Sequence, residues 1–308
     1  MMKDDYWDIT NRPSTKMKLE ILRGIFHVWL TIWNKQNWAS NEWYVLDLFS
    51  GRGYYKDGEL LVSGSPFVYL EKIKERRDKF IEKIKIKLFF VDIDKDEIEE
   101  LQKNVENYVK NNQIDNIVEV IYFNEDCNEI INDVLKKIIN SNRNPLFVFI
   151  DPTGIKIKKN TINEILNLEN PKDIFLNYSL EGVRRTMGVA RKAQEGEDLN
   201  VREVGTIETL GEFFGDDINI VDKDGLEIKD DLETLKYYVS KCFLCKNLEV
   251  VACDIVYPDR NDILYYLLFA SRKPNIVNII KDIYKREKHR DRPSLFGPEF
   301  YNILYFKR

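Results

Sequence analysis

Two rhythms of apolar positions run along this chain. Leu22, Ile25, Phe26, Trp29 and Trp33 recur at helical spacing and predict an amphipathic helix beginning near Ser14 or Thr15. Short β-rich runs then take over, at residues 43–49, 87–92, 117–123, 145–150, 174–177, 248–256 and 264–270. Helical periodicity separates several of them, through Ile98, Leu101, Val105 and Tyr108 in one stretch and Ile131, Val134, Leu135 and Ile138 in another. Strands separated in this way imply right-handed crossovers and a parallel sheet. The runs are nearly continuous in apolar residues, as strands covered on both faces should be.

The expected architecture is therefore α/β, a seven-stranded, mostly parallel sheet with helices on both faces. Residues 181–240 interrupt the rhythm. They are charged, rich in glycine and only patchily periodic, and they read as a helical insertion between the fifth and sixth strands.

Composition changes this picture little. Of 308 residues, 47 are Lys or Arg and 52 are Asp or Glu, for a formal net charge of −5, which excludes a uniformly basic surface. The stretch 272–308 nevertheless holds ten Lys and Arg against four acids, so a basic end lies within an acidic whole. Four Cys and two His are too few for a disulfide scaffold or a His-based metal centre, and no metal is expected. Cys242, Cys245 and Cys253 lack a fourth ligand and read as reduced thiols, the first two a core pair on a helix. His27 lies beside the first apolar stripe as a packing or surface residue. Reduced thiols point to the cytoplasm. No apolar segment opens the chain, and the longest apolar run, 263–270, falls short of the about 20 residues that span a bilayer, so neither export nor membrane insertion is expected.

The most informative stretch follows the first strand, Asp47-Leu-Phe-Ser-Gly-Arg-Gly53. Its glycines allow a tight turn and close approach to a ligand. Ligands of doubly wound sheets sit beyond the carboxyl ends of the strands, and four successive runs here end in Asp47, Asp92, Asp126 and Asp151. Such an edge repels a pyrophosphate, and the dinucleotide pattern G-x-G-x-x-G is absent. It suits a ligand with ribose hydroxyls, an amine and a sulfonium, which is S-adenosylmethionine. By position, Asp92 would take the ribose hydroxyls and Asp126 the adenine amine, while Asp47 and the amides of Ser50, Gly51 and Gly53 would face the methionine part. A glycine turn with ordinary polar strand ends is the plainer reading of any one of these features.

Asp151-Pro-Thr-Gly154 occupies the place where methyltransferases acting on exocyclic amines carry Asp/Asn-Pro-Pro-aromatic, whose carboxylate or amide accepts from the target amine while the aromatic stacks on the base. Thr153 and Gly154 replace the second proline and the aromatic, so the stacking element is missing. A likeness to cytosine-C5 methyltransferases fails, because Cys127 follows Asp126 rather than a proline. Arg184, Arg185 and the basic end are candidates for phosphate contact, or simply a solvated charged face.

Taken together, Lys18-Leu-Glu-Ile-Leu22, Asp47-Leu-Phe-Ser-Gly-Arg-Gly53, Gly64-Ser-Pro66, Val91-Asp92, Asp126-Cys-Asn128, Phe149-Ile-Asp-Pro-Thr-Gly154, Asn177 with Arg185, and Tyr265-Tyr-Leu-Leu-Phe-Ala-Ser-Arg272 resemble the three-Cys-motif partner proteins. The likeness runs over about residues 15–285. It implies a Rossmann-like class I methyltransferase fold and a separate partner protein carrying a three-cysteine motif. On this resemblance Lys18, Phe49, Ser65, Ile93 and Cys127 join the cofactor residues. Asp151 and Asn177 are the catalytic candidates, and Pro152, Thr153, Gly154, Arg184 and Arg185 the substrate candidates. Thr153 and Lys273 depart from the family's usual aromatic and His. The expected organisation is one domain over 1–308: an N-terminal helix (1–40), a cofactor-binding half (41–180), the insertion (181–240), and C-terminal strands with a basic tail (241–308). The expected function is methyl transfer to RNA, DNA or a nucleic-acid-derived substrate. A catalytically silent docking module is the alternative, and a metal-dependent nuclease fits less well because the acids stand one per strand.

Overall fold

The structure is a computed structural model that describes residues 7–10, 12–81, 83–196, 198–215, 230–256, 262–273, 276–289 and 302–307. Each apolar run forms a strand: β1 (Glu42–Asp47), β4 (Lys85–Val91), β5 (Val118–Phe123), β6 (Leu146–Ile150), β7 (Lys172–Tyr178), β8 (Glu249–Val256) and β9 (Ile263–Ser271). Two short strands, β2 (Tyr54–Asp57) and β3 (Leu60–Ser63), make a separate hairpin, and β10 (Ile303–Phe306) joins the main sheet. The order in that sheet is β10-β8-β9-β7-β6-β1-β4-β5. From β5 to β7 all pairings are parallel. β9 runs against both β7 and β8, and β10 runs against β8.

This is the expected α/β architecture, a Rossmann-like, mostly parallel sheet with helices on both faces, with eight strands where the sequence predicts seven. The extra strand is four residues long and only partly buried, so its apolar pattern is too brief to read. The stretch 272–308 is accordingly more than a basic tail, since it also contains helix α9 (Ile276–His289).

Alternate residues of the strands feed two apolar layers. On one face, Trp43, Val45, Leu88, Phe90, Phe147, Phe149 and Phe175 meet α1 (Pro13–Trp33), α2 (Ser65–Arg76), α3 (Lys95–Asn111) and α9. On the other, Tyr44, Leu46, Phe89, Val148, Ile150 and Leu176 meet α4 (Cys127–Leu135), α5 (Lys159–Asn167), α6 (Leu180–Gln194), α7 (Val201–Phe214) and α8 (Asp231–Cys242). The predicted stripe on α1 is buried at all five positions, with Phe26 and Trp29 packed on Phe147. The described part of 181–240 is no appendage: Val183, Met187, Leu210, Phe213 and Tyr238 belong to the second layer.

Cys242 is buried on α8, but Cys245 lies exposed in a short 3-10 turn, so the pair does not share a core. The chain has entered its turn by position 244, which rotates the second thiol to solvent. His27 is half-buried on α1, and burial pulls its imidazole below the usual range. Among the described residues no helix is long and apolar enough to cross a membrane, and no cluster of His, Cys, Asp and Glu is placed to hold a metal ion.

Candidate functional site

The order of the sheet reverses at β1, which has β4 on one side and β6 on the other. That reversal opens a crevice beyond the carboxyl ends of the strands. Asp47 ends β1, Asp92 follows β4, Asp126 follows β5 and Asp151 follows β6, so the four acids belong to four adjacent strands, in the spatial order 126, 92, 47, 151.

The glycine loop is pinned at this crevice. The Ser50 amide and hydroxyl both donate to the Val91 carbonyl, at 3.0 and 3.2 Å, and the Gly64 amide donates to the Gly53 carbonyl at 2.7 Å. Gly51 and Gly53 have φ of +56° and +90°, a region that side chains disfavour. The Gly51 amide donates to Asp92 Oδ2 at 2.8 Å. Over the loop lies Trp7, whose ring tip would be 2.2 Å from a Cβ at Gly51. Its indole N–H donates to Glu97 Oε1 at 3.1 Å, and the Arg52 guanidinium stands 5.0 Å from its ring while pairing with Glu97 at 2.7 and 2.9 Å. Gly51→Ala is therefore expected to cost about 1–3 kcal/mol from the left-handed backbone alone, and to displace Trp7. Urea denaturation checks it; an unchanged midpoint would mean that the loop tolerates a side chain.

The acids occupy different environments. Asp47 has 0% exposure. Rather than facing an open edge, its Oδ2 accepts from the Tyr69 hydroxyl at 3.2 Å and its Oδ1 from the Phe49 amide at 3.3 Å, with the Ser65 hydroxyl also bonded to it. Burial pushes its carboxyl up to about 7. Phe49 and Ser65 thus act on Asp47 from the loop and from the start of α2.

Asp92 is half-buried, and burial raises its carboxyl as well. Its two oxygens accept from the amides of Gly51 and Asp94, the latter at 3.0 Å. Ile93 beside it is 69% exposed. Asp126 caps α4, its Oδ1 accepting from the Asn128 amide at 2.8 Å. Cys127 behind it is buried, which pushes its thiol up to about 12. A thiol so protonated is no nucleophile.

Asp151 is held at both of its oxygens. Lys18, on α1, places Nζ 2.5 Å from Asp151 Oδ2, and Asn177, on β7, donates from Nδ2 to Asp151 Oδ1 at 2.8 Å. Both partners are among the residues singled out in the sequence, but their convergence on one carboxylate needs the fold. Tyr265, whose ring lies 5.9 Å from Lys18 Nζ, donates its hydroxyl to the Ser14 carbonyl at 2.7 Å and ties the start of α1 to β9.

After Asp151 the chain buries Pro152, exposes Thr153 and turns at Gly154 with φ +79°. Arg184 and Arg185 then diverge. Arg184 is held by Asp231, with Nη2 to Oδ2 at 2.5 Å, and by Asp262 at 3.0 Å, so its guanidinium is committed to an ion-pair cluster that ties α6 to α8 and the entrance of β9. Arg185 is exposed, with Nη2 beside Gly154. Sequence reasoning missed Trp7, Arg52 and Glu97; an isolated tryptophan in a charged leading segment was the available signal.

Neither a family model nor a curated protein matches the sequence. Among solved structures, the chain is similar to protein LPL1258 from Legionella pneumophila, assigned to the family model DUF519, at 10% identity and a TM-score of 0.50, over 94% of this chain and 95% of that one. The likeness is one of fold. Two others match at lower TM-scores: the methyltransferase domain of bacterial CtHen1-C (0.37, 10% identity, 83% and 98% of the two chains) and an S-adenosylmethionine-dependent methyltransferase from Methanosarcina mazei (0.36, 12% identity, 77% and 95%).

Proposed function

We propose that this chain binds S-adenosylmethionine and transfers its methyl group to an amine of a nucleic acid or nucleic-acid-derived substrate, working with a three-Cys-motif protein as its resemblance implies. The observation that carries the reading is the line of four acids on adjacent strand ends around a pinned glycine loop.

The donor set suits that cofactor. Asp92 accepts one amide at each oxygen, and each oxygen keeps a lone pair for a ribose hydroxyl. Exposed Ile93 offers apolar surface to the purine, and Asp126 Oδ2 has no donor among the described residues, which leaves it for the adenine amine. Asn177 Oδ1 is buried without a hydrogen-bond partner among the described residues, a second unsatisfied acceptor beside Asp151. When bound, the cofactor supplies an activated methyl group; the protein's part is to hold an amine nitrogen in line with it. In this reading Asp151 accepts an N–H of that amine, and Lys18 and Asn177 fix the carboxylate's orientation.

Calorimetric titration with S-adenosylmethionine and S-adenosylhomocysteine tests the cofactor. Asp92→Ala, which removes a hydrogen-bonding carboxylate worth about 1.5–3 kcal/mol, should weaken both by about ten- to a hundredfold. No heat from either compound with folded wild-type protein would sink the reading.

A further inference from the structure

The loop after β6 lacks the aromatic that would stack on a base, and the structure shows what occupies that direction. A Cβ built at Gly154 meets one atom within 4 Å among the described residues, Arg185 Nη2 at 3.9 Å. The approach is built in. Ser179 caps α6 by accepting from the Gly182 amide at 3.1 Å, and Gly182, having no side chain, lets the first turn of α6 settle on the loop. A Cβ at Gly182 would come 3.2 Å from the Gly154 Cα and 3.3 Å from Ile155 Cγ2. Residues 182 and 185 lie on the same helix face, so the turn that rests on Gly154 carries Arg185 over it.

The neighbouring cation is spoken for. Arg184 is locked between Asp231 and Asp262, which also holds α6 in its rotational setting. Arg185 is exposed and pairs with no carboxylate among the described residues. A guanidinium is planar and weakly hydrated, and it stacks on nucleobases as aromatic rings do.

We infer that Arg185 is the base-stacking residue of this site, its guanidinium standing in for the aromatic that Gly154 lacks and receiving an unpaired nucleobase of a single-stranded nucleic acid next to Asp151. This rests on the methyltransferase reading above and specifies its substrate contact. A stacking role and a phosphate contact differ in what can replace the arginine. Lysine keeps the charge and loses the plane; tryptophan keeps the plane and loses the charge.

Single-stranded oligoadenylate about ten nucleotides long is titrated into wild type, Arg185→Ala, Arg185→Lys and Arg185→Trp, and S-adenosylhomocysteine is titrated into the same four proteins. Arg185→Ala and Arg185→Lys should each weaken the oligonucleotide about tenfold or more, and Arg185→Trp should retain most of the affinity. The cofactor product should bind all four alike. Rescue by lysine but not by tryptophan, equal binding by all four, or no binding by wild type overturns the stacking role. A wild type that binds the oligonucleotide but not S-adenosylhomocysteine sinks the cofactor reading alone.

Discussion

On the proposed function, Asp151→Ala should lower the rate of methyl transfer by about two to four orders of magnitude, the range that a positioned acid-base group contributes, while S-adenosylhomocysteine still binds. The expectation follows from the two bonds that converge on this carboxylate. Lys18 reaches Oδ2 from α1 and Asn177 reaches Oδ1 from β7, so both oxygens of the group are held. A side chain fixed in this way has already met the orientational cost that an acceptor for a substrate amine must meet. Removing it leaves the Lys18 ammonium, whose side chain is 10% exposed, without its partner. That loss can destabilise the fold by itself. Asp151→Asn is the control, because it keeps size and one acceptor oxygen. Lys18→Met should lower kcat less than Asp151→Ala does. The assay uses labelled S-adenosylmethionine with RNA and DNA, with and without the three-Cys-motif protein named in the proposed function. Full activity of Asp151→Ala would exclude the carboxylate from the chemistry.

The stability of the protein should fall between about pH 4 and pH 7 through Asp47, and Asp47→Asn should remove that fall. The folded-state carboxyl, pushed up to about 7 by burial, lies above its ordinary value of about 4. Below pH about 4 it is protonated in both states, and its contribution to folding is intact. As pH rises, the unfolded chain ionises first, so stability drains away until the folded carboxyl also ionises near 7. At about 1.4 kcal/mol for each pH unit of separation, the loss reaches up to about 4 kcal/mol. Asp92, Asp173 and Asp254 are also raised by burial and add slopes of the same sign. They are present in both proteins, so the difference between wild type and Asp47→Asn isolates one group. Thermal melts of both proteins across this range are the measurement; a difference that stays flat with pH would show that Asp47 titrates near its ordinary value.

The sheet was legible because its strands are buried on both faces. Runs such as Leu146–Ile150, apolar at every position, can hardly be anything else between turn signals. The strand-end acids were legible for the same reason, since a carboxylate ends such a run abruptly. The hairpin β2–β3 was not: Leu60 and Leu61 are 69% and 70% exposed, so its apolar residues mark no buried face. Nor was the commitment of Arg184, whose partners Asp231 and Asp262 come from distant elements. Within the site, the residue types and their order were readable, whereas the burial of Asp47 and the Lys18–Asp151 pair are products of packing. Trp7 belongs to the same class, because its partners Gly51, Arg52 and Glu97 lie far along the chain.

The four residues of β10 decide where this molecule can touch others through its backbone. A bare strand at the margin of a sheet is adhesive, because its amides and carbonyls can recruit another chain. β8, buried over seven of its eight residues, would be such a margin, and the ladder from Ile303–Cys253 to Phe306–Val250 covers it. Among the described residues the margins of the sheet are then β10, only four residues long, and β5, where Glu119 is exposed. A strand that short offers a second chain few amides at one margin, and an exposed charge discourages pairing at the other.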